Sequence, residues 1–369
     1  METKKLIDCC EFISDGDHLP PPKSDSGVPF ITISNITGQN KLSFEDTMFV
    51  PESYYNGLNE NKKAQKGDIL YSVVGSFGKP VYIDFDKQMV FQRHIAILRP
   101  KRNVNARFIY YTMLNPQFYK LVDKLAIGCS QRTVTLDTLR NIEISLPDKD
   151  IQDKTVEVLS LIDRKIDENC KINDNLEQQI KTIFTFQFLQ NANTEWKQQS
   201  LAELSEMYQP KTISGKDLIA DGNYFVYGAN GIIGKYNQYN HSESEIAVAC
   251  RGASCGSIQM TLPFSWITGN AMVVKPHSDF PYREYLYYYL LAKNPNYLCS
   301  GSAQPQLTRE NLTLYSLKVP STTELNAFES YAEKVRKIII KNQQENIELS
   351  TLRAWLLPML MNGQAIISD

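Results

Sequence analysis

The residues that could catalyse a reaction are present in this chain, but their spacing does not suit the task. The four histidines, His18, His94, His241 and His277, are dispersed and share no spacing that would hold a metal ion. The seven cysteines include no Cys-x-x-Cys, which points to reduced thiols in a cytoplasm rather than a disulfide or zinc framework. Asn115-Pro-Gln-Phe118 and Asn294-Pro-Asn-Tyr297 have the outline of an amino-methyl-transfer motif, in which successive prolines hold an Asn against an exocyclic amine. Here the second proline is missing, and no glycine-rich loop for S-adenosylmethionine accompanies either copy. Both copies follow aromatic runs of helical character, where an Asn-Pro stops a helix because the residue before proline avoids the α region. Ala229-Asn-Gly-Ile-Ile-Gly234-Lys235-Tyr236 imitates a phosphate-binding loop but lacks the leading glycine, and Tyr236 stands where Ser or Thr would ligate Mg²⁺. It reads as a tight Asn-Gly turn. Pro147-Asp148 with Asp163-Arg-Lys165 sketches a nuclease acid set, yet its second half falls on a helical segment, not on a strand beside the first acid. There is no Gly-x-Ser-x-Gly. The expectation is a binding protein, not an enzyme.

The elements that must position any binding residue are written twice. Gly128-Cys-Ser-Gln131, followed by Thr135, Leu139 and Leu146-Pro147, recurs as Gly301-Ser-Ala-Gln304, Thr308, Leu312 and Val319-Pro320 at a constant offset. Gln92-Arg-His-Ile-Ala-Ile-Leu-Arg-Pro100 matches Thr268 to Pro276, and Asp68 to Gly78 resembles Glu245 to Gly256. A period this long means duplicated domains. The length of 369 residues suits two domains, and 42% hydrophobic content with 16 Phe and 20 Tyr is ample for two cores. No run approaches the roughly 18 apolar residues that a membrane span needs, and the first residues lead into no signal-peptide core. Each half offers short β-branched strands, then an aromatic helical stretch (Arg107 to Val122; Arg283 to Leu298), then a strand closing on proline. Each half is therefore expected to be α+β.

After each closing proline the apolar period lengthens to three and a half. Ile162, Ile166, Asn169, Asn173, Leu176, Ile180 and Ile183 form one seam; Val335, Ile339, Asn342, Asn346, Leu349, Arg353 and Leu356 form the other. Antiparallel pairing of the two helices would bring Asn169 and Asn173 to Asn346 and Asn342. The expected layout is 1–150 and 191–320 as α+β domains, with 151–190 and 321–369 as long helices.

This layout resembles the specificity subunit of Type I restriction–modification enzymes over essentially the whole chain. The stretches that carry the likeness are Gly27 to Ile36, Lys66 to Gly78, Tyr224 to Gly234, the paired Gly-x-x-Gln segments and Leu356-Leu-Pro-Met-Leu-Met-Asn-Gly363. The resemblance implies that each α+β domain is a target recognition domain reading one half of a bipartite site in double-stranded DNA. It implies an antiparallel coiled-coil spacer, two docked modification (methylase) subunits, and restriction subunits joining to make the nuclease. S-adenosylmethionine, ATP and Mg²⁺ would belong to those partners, with no cofactor in this chain and a cytoplasmic location. About 30 helical residues at 1.5 Å each give roughly 45 Å, enough to set two readers on successive major grooves. A Type IIB-like or methylation-only system, a coiled-coil scaffold without DNA and an autonomous methyltransferase are the alternatives.

Base reading needs rigidly held donors and acceptors, such as Arg for guanine and Asn or Gln for adenine, on turns projecting from a sheet. The candidates are Ser34, Asn35, Ser76, Gln92, Arg93, Gln131 and Arg132 in the first half. In the second they are Tyr227, Asn230, Arg251, Asn270, Gln304 and Gln306. Gln131 and Gln304 hold the same place in both halves, so a turn-building role competes with readout. Arg132 against Pro305, and Arg93 against Gly269, differ between halves and suit different half-sites. The net charge of −2 falls in the two helical segments, and neither recognition half is acidic overall. A neutral reader would leave much of the phosphate grip to its partners.

Overall fold

The strand Ile69–Ser72 is buried at all four positions because both faces of its sheet are covered. The sheet runs in the order Cys10–Asp15, Ile95–Pro100, Ile69–Ser72, Pro80–Tyr82, antiparallel throughout. On one face Ile69, Tyr71, Ala96 and Leu98 meet Phe108, Ile109 and Tyr111 of the helix Ala106–Leu114. On the other, Leu70, Ile95 and Ile97 meet Ile31, Ile36 and Phe91. A short parallel pairing, Phe30 to Val90 and Ile31 to Phe91, completes that second layer. The strand Glu2–Lys5 pairs with Glu143–Leu146 beneath.

This is a computed structural model describing residues 2–129, 131–301 and 304–365. The backbone divides into two units: residues up to Asp167 with those from Asn346 onward, and Glu168–Glu345. The second unit repeats the first. Its sheet runs Ser205–Tyr208, Ala271–Pro276, Ile246–Ala249, Ile258–Met260. Ile246, Val248, Met272 and Val274 meet Tyr285, Leu286 and Tyr288 of the helix Arg283–Ala292. Ala247, Ala271 and Val273 meet Tyr227 and Ile267. Lys197–Ser200 pairs with Ser316–Val319, and Val226–Tyr227 runs parallel to Trp266–Ile267.

Two long helices follow the two α+β segments. Lys149–Phe184 has 36 residues and continues into a π-helical turn, Thr185–Gln190; Thr322–Met361 has 40. They pair antiparallel, since partner numbers fall along one helix as they rise along the other. In the first unit Arg353 ion-pairs with Asp163, and the Asn346 amide donates to the Ile166 carbonyl at 3.3 Å. In the second, the Asn342 amide donates to Asn173 Oδ1 at 2.8 Å, and Asn173 donates to the Ile339 carbonyl at 3.3 Å. Asn173 meets Asn342 as the frame expects, and the Asn169 amide also donates to the Glu345 carboxylate at 2.8 Å.

Two expectations need correcting. The aromatic stretch Arg107 to Val122 stops at Asn115-Pro116 as expected but is not one helix: it comprises Ala106–Leu114 and a second helix, Pro116–Leu125. Asn115 ends the first and caps the second, its Oδ1 accepting from the Gln117 amide at 3.0 Å, with Pro116 in the first turn where no N–H is needed. Arg283 to Leu298 likewise ends its α-helix at Ala292 and resumes as a 3₁₀ turn, Pro295–Leu298, capped by Asn294. The second correction concerns sulfur. Cys255 and Cys299 are disulfide-bonded, with Cα atoms 6.6 Å apart. A separation of 44 residues hides such a pair from spacing arguments; only the fold closes it. Cys9, Cys10, Cys129, Cys170 and Cys250 are free thiols.

Candidate nucleic-acid interface

Each unit gathers three loops at one end of its four-stranded sheet, and the backbone bonds that gather them are duplicated. In the first unit the Val73 amide donates to the His94 carbonyl at 2.9 Å, the Gly75 amide to the Arg132 carbonyl at 2.9 Å, and the Val134 amide to the Val73 carbonyl at 2.8 Å. These join the Gly75–Gly78 turn, the Gln92–His94 loop and the Gly128–Arg132 loop. In the second unit the Cys250 amide donates to the Asn270 carbonyl at 2.9 Å, Gly252 to Pro305 at 3.0 Å, and Leu307 to Cys250 at 2.9 Å.

The Gly-x-x-Gln repeat has a steric cause. Gly128 and Gly301 adopt φ of +99° and +91°, and a Cβ would stand 2.8 Å from the Gln131 carbonyl oxygen and 2.9 Å from that of Gln304. Only glycine closes this turn. Ser130, Ser302 and Ala303, inside the two copies, lie outside the described residues. The glutamine side chains do not build the turn: both are exposed, and neither hydrogen-bonds a described residue through its amide. Thr135 and Thr308 complete the repeat by capping short helices, accepting from the Thr138 and Asn311 amides at 3.0 and 3.1 Å.

Three candidates are absorbed by the scaffold. Asn35 is buried; its Oδ1 accepts from the Thr32 amide at 2.8 Å, and its Nδ2 donates to the Ser43 carbonyl at 3.0 Å and Thr47 Oγ1 at 3.1 Å. Tyr227 is buried and its hydroxyl accepts from the Leu262 amide at 3.1 Å. The Arg132 guanidinium donates to the carboxylate and carbonyl of Asp123 and lies over the Phe77 ring, 5.6 Å from its centroid. All three hold loops in place.

The others face outward at the loop ends. Ser34 is exposed, its Oγ 2.7 Å from Thr32 Oγ1. The Gln92 amide ties this segment to the loop cluster through the Ile31 carbonyl at 2.9 Å. Ser76 and Arg93 are exposed, and Gln92 is half-buried. Beside Arg93, His94 is held below the usual imidazole range by burial and then by the Arg93 charge, so it adds no second cation. In the second unit Asn230 is exposed at the tip of the hairpin Tyr224–Gly228 to Gly231–Tyr236, and Gly231 takes φ +88° there. The hairpin is a turn, not a phosphate loop. The Gln259 amide holds it at the Gly228 carbonyl, 3.0 Å. Arg251 and Gln306 are both exposed and lie opposite each other across an antiparallel bridge, and Asn270 is half-buried beside them.

Asp17 supports the Gln92–Arg93 loop, which sequence reasoning missed. Its carboxylate accepts from Tyr54 Oη at 2.7 Å and Lys62 Nζ at 2.8 Å, and its carbonyl accepts the Arg93 amide at 3.0 Å. Burial and this bond push Tyr54 up to about 12. No local spacing announces a contact spanning so much chain. Among the described residues no group of three His, Cys, Asp or Glu could hold a metal, and no helix is long and apolar enough to cross a membrane.

Residues 1–178 and 193–350 match the family described as the Type I restriction modification DNA specificity domain. The chain is 27% identical over 166 residues to the Type I restriction enzyme HindI specificity subunit of Haemophilus influenzae, covering 42% of this chain and 36% of that protein. It spans a similar share, 38%, of the MjaVIII specificity subunit of Methanocaldococcus jannaschii. To the MjaIX specificity subunit of the same organism it is 21% identical over 308 residues, covering 73% of this chain and 71% of that one. The crystal structure of the Type-I restriction-modification system S subunit from M. genitalium superposes with a TM-score of 0.63 at 16% identity, over 98% of this chain and 96% of that one, which establishes the shared fold. With both units matched, the chain belongs to the Type I restriction modification DNA specificity domain family.

Proposed function

We propose that this chain is the non-catalytic DNA-reading subunit of a Type I restriction–modification complex, each unit reading one half of a bipartite site. The observation that carries the reading is the duplicated loop cluster with different side chains in it. Backbone bonds and glycines are repeated, while the outward groups change: Ser76, Arg93 and Gln131 in one unit, Arg251, Asn270, Gln304 and Gln306 in the other. A shared frame with exchanged donors and acceptors suits two readers of different sequences. Arg251 beside Gln306 offers a guanine reader next to an adenine reader.

Modification subunits carrying S-adenosylmethionine dock on the assembly in this reading, and restriction subunits supply ATP- and Mg²⁺-dependent chemistry, all in the cytoplasm. Leu161, Ile172, Ile338, Leu352 and Trp355 stay exposed on the long helices, apolar surface of the kind a partner covers. The test is selection from a random duplex pool by the chain assembled with its modification subunits. Enrichment of one bipartite sequence with a fixed gap is expected. No enrichment would leave a coiled-coil scaffold as the better account.

A further inference from the structure

The disulfide Cys255–Cys299 joins the two segments that present Arg251 and Gln306. Cys255 lies in the turn Gly252–Gly256, whose end glycines take φ of +79° and +84°. The turn is tied by the Cys255 amide to the Gly252 carbonyl at 3.0 Å and by the Gly256 amide to the Ala249 carbonyl at 2.9 Å. Cys299 immediately precedes Ser300, which exchanges two 2.8 Å backbone bonds with Gln306. That pair closes the neck of the Gly301–Gln304 loop, and Cys299 sits at its root. Both bonded cysteines are half-exposed, whereas Cys9, Cys10 and Cys250 are buried and burial pushes their thiols up. Solution reagents reach the pair and not those three.

The first unit fastens the corresponding loops without sulfur. Phe77, in the matching turn, stacks on Tyr119 at 5.9 Å, and Arg132 bonds Asp123. Those contacts hold in any redox state. The second unit has a bond that thiol chemistry can open in their place.

We propose that Cys255 and Cys299 form a reversible dithiol–disulfide site whose co-reactant is a low-molecular-weight disulfide, and that it sets how rigidly the Arg251 turn and the Gln306 loop are held. One cysteine thiolate attacks a sulfur of the small disulfide, forming a mixed disulfide and releasing one thiol. The other cysteine attacks the protein sulfur of that mixed disulfide, closing the Cys255–Cys299 bond and releasing the second thiol. Two protein thiols are oxidised, and one small disulfide is reduced to two thiols. The consequence for reading one half-site rests on the proposed function; the clamp itself does not.

The full chain, equilibrated with oxidised or with reduced glutathione, tests this. Peptide mapping by mass spectrometry reads the linkage, and hydrogen exchange reads residues 250–256 and 299–306 against residues 73–78 and 126–133 as internal reference. The expected result is linkage in the oxidised sample, and exchange at Gly252, Ser300 and Gln306 about tenfold faster in the reduced one, with the reference loops unchanged. Cys255→Ser should exchange as the reduced chain does in both buffers; if that variant misfolds, the wild-type comparison alone decides. No linkage, or linkage with equal exchange in both states, overturns the clamp. A clamp that responds in a chain that, once assembled with its modification subunits, selects no DNA sequence in either state supports the clamp and removes the proposed function instead.

Discussion

Arg93, Arg251 and Arg132 are the arginines of the proposed interface, and their surroundings give them different work. Arg251 makes no ion pair or hydrogen bond through its guanidinium among the described residues, and Arg93 reaches only His94, at 3.4 Å. In the proposed function both meet a base edge. Arg93→Ala and Arg251→Ala should each weaken site-specific binding by about 1–3 kcal/mol with little change on unrelated DNA, measured by competition binding. Arg132 is committed to Asp123 at a partly exposed site, so Arg132→Ala should cost under about 1 kcal/mol of thermal stability, read by calorimetry. Nothing in the sequence around these arginines separated the two roles. Asp123 lies nine residues before Arg132, on the helix Pro116–Leu125, and looks like any solvated acid.

Glu329 gives a pH prediction at the same scale. Its carboxylate accepts from the Glu284 and Tyr285 amides at 2.9 and 3.1 Å, at the start of the helix Arg283–Ala292, yet burial pushes it up to about 7. An acid whose pKa is raised on folding binds its proton more tightly in the folded chain. Its contribution is therefore full below the ordinary glutamate range and is lost as pH rises towards 7. A shift of that size corresponds to about 3 kcal/mol. The urea midpoint of the wild type should drop as pH is raised from 5 to 7.5, and Glu329→Gln should flatten that slope. An equal slope in the variant would place the titration elsewhere.

Among the elements, the two long helices were the most legible. Their heptad spacing survives because both seams face the partner over many turns, and the Asn173–Asn342 pair falls where the frame put it. The network that fastens the second unit to its helices was not legible. Arg336, buried, bonds Glu284 at 3.1–3.3 Å and Glu177, and donates to Tyr288 Oη at 2.9 Å. Burial pushes Glu284 up, and the adjacent guanidinium opposes that rise. These groups come from three distant segments, and no periodicity links them. Arg336→Ala should destabilise the chain by about 3–5 kcal/mol, since it leaves Glu284 buried without its cation, and denaturant unfolding measures the loss. The aromatic helices mark a further limit. Asn115-Pro116 signalled a stop, but the same two residues start the next helix, because an Asn cap and a first-turn proline serve either purpose.

For the whole molecule, the duplication was visible in sequence because its repeats are backbone necessities: glycines at positive φ and threonine caps. The disulfide and the absorbed candidates Asn35, Tyr227 and Arg132 were not, since burial and partners are decided by the fold. The small negative charge, concentrated in the helical segments, argues that the isolated chain grips phosphate poorly. Fluorescence anisotropy at physiological salt should show weak binding by the chain alone and tight, sequence-dependent binding once modification subunits are added. The central claim, that this chain chooses the DNA sequence, is tested most directly by mapping methylated adenines across a genome in cells expressing the modification subunits with and without it. One bipartite motif should appear only when the chain is present, and Arg251→Ala should relax one half of it alone. A methylation pattern unchanged by removing the chain would contradict the account.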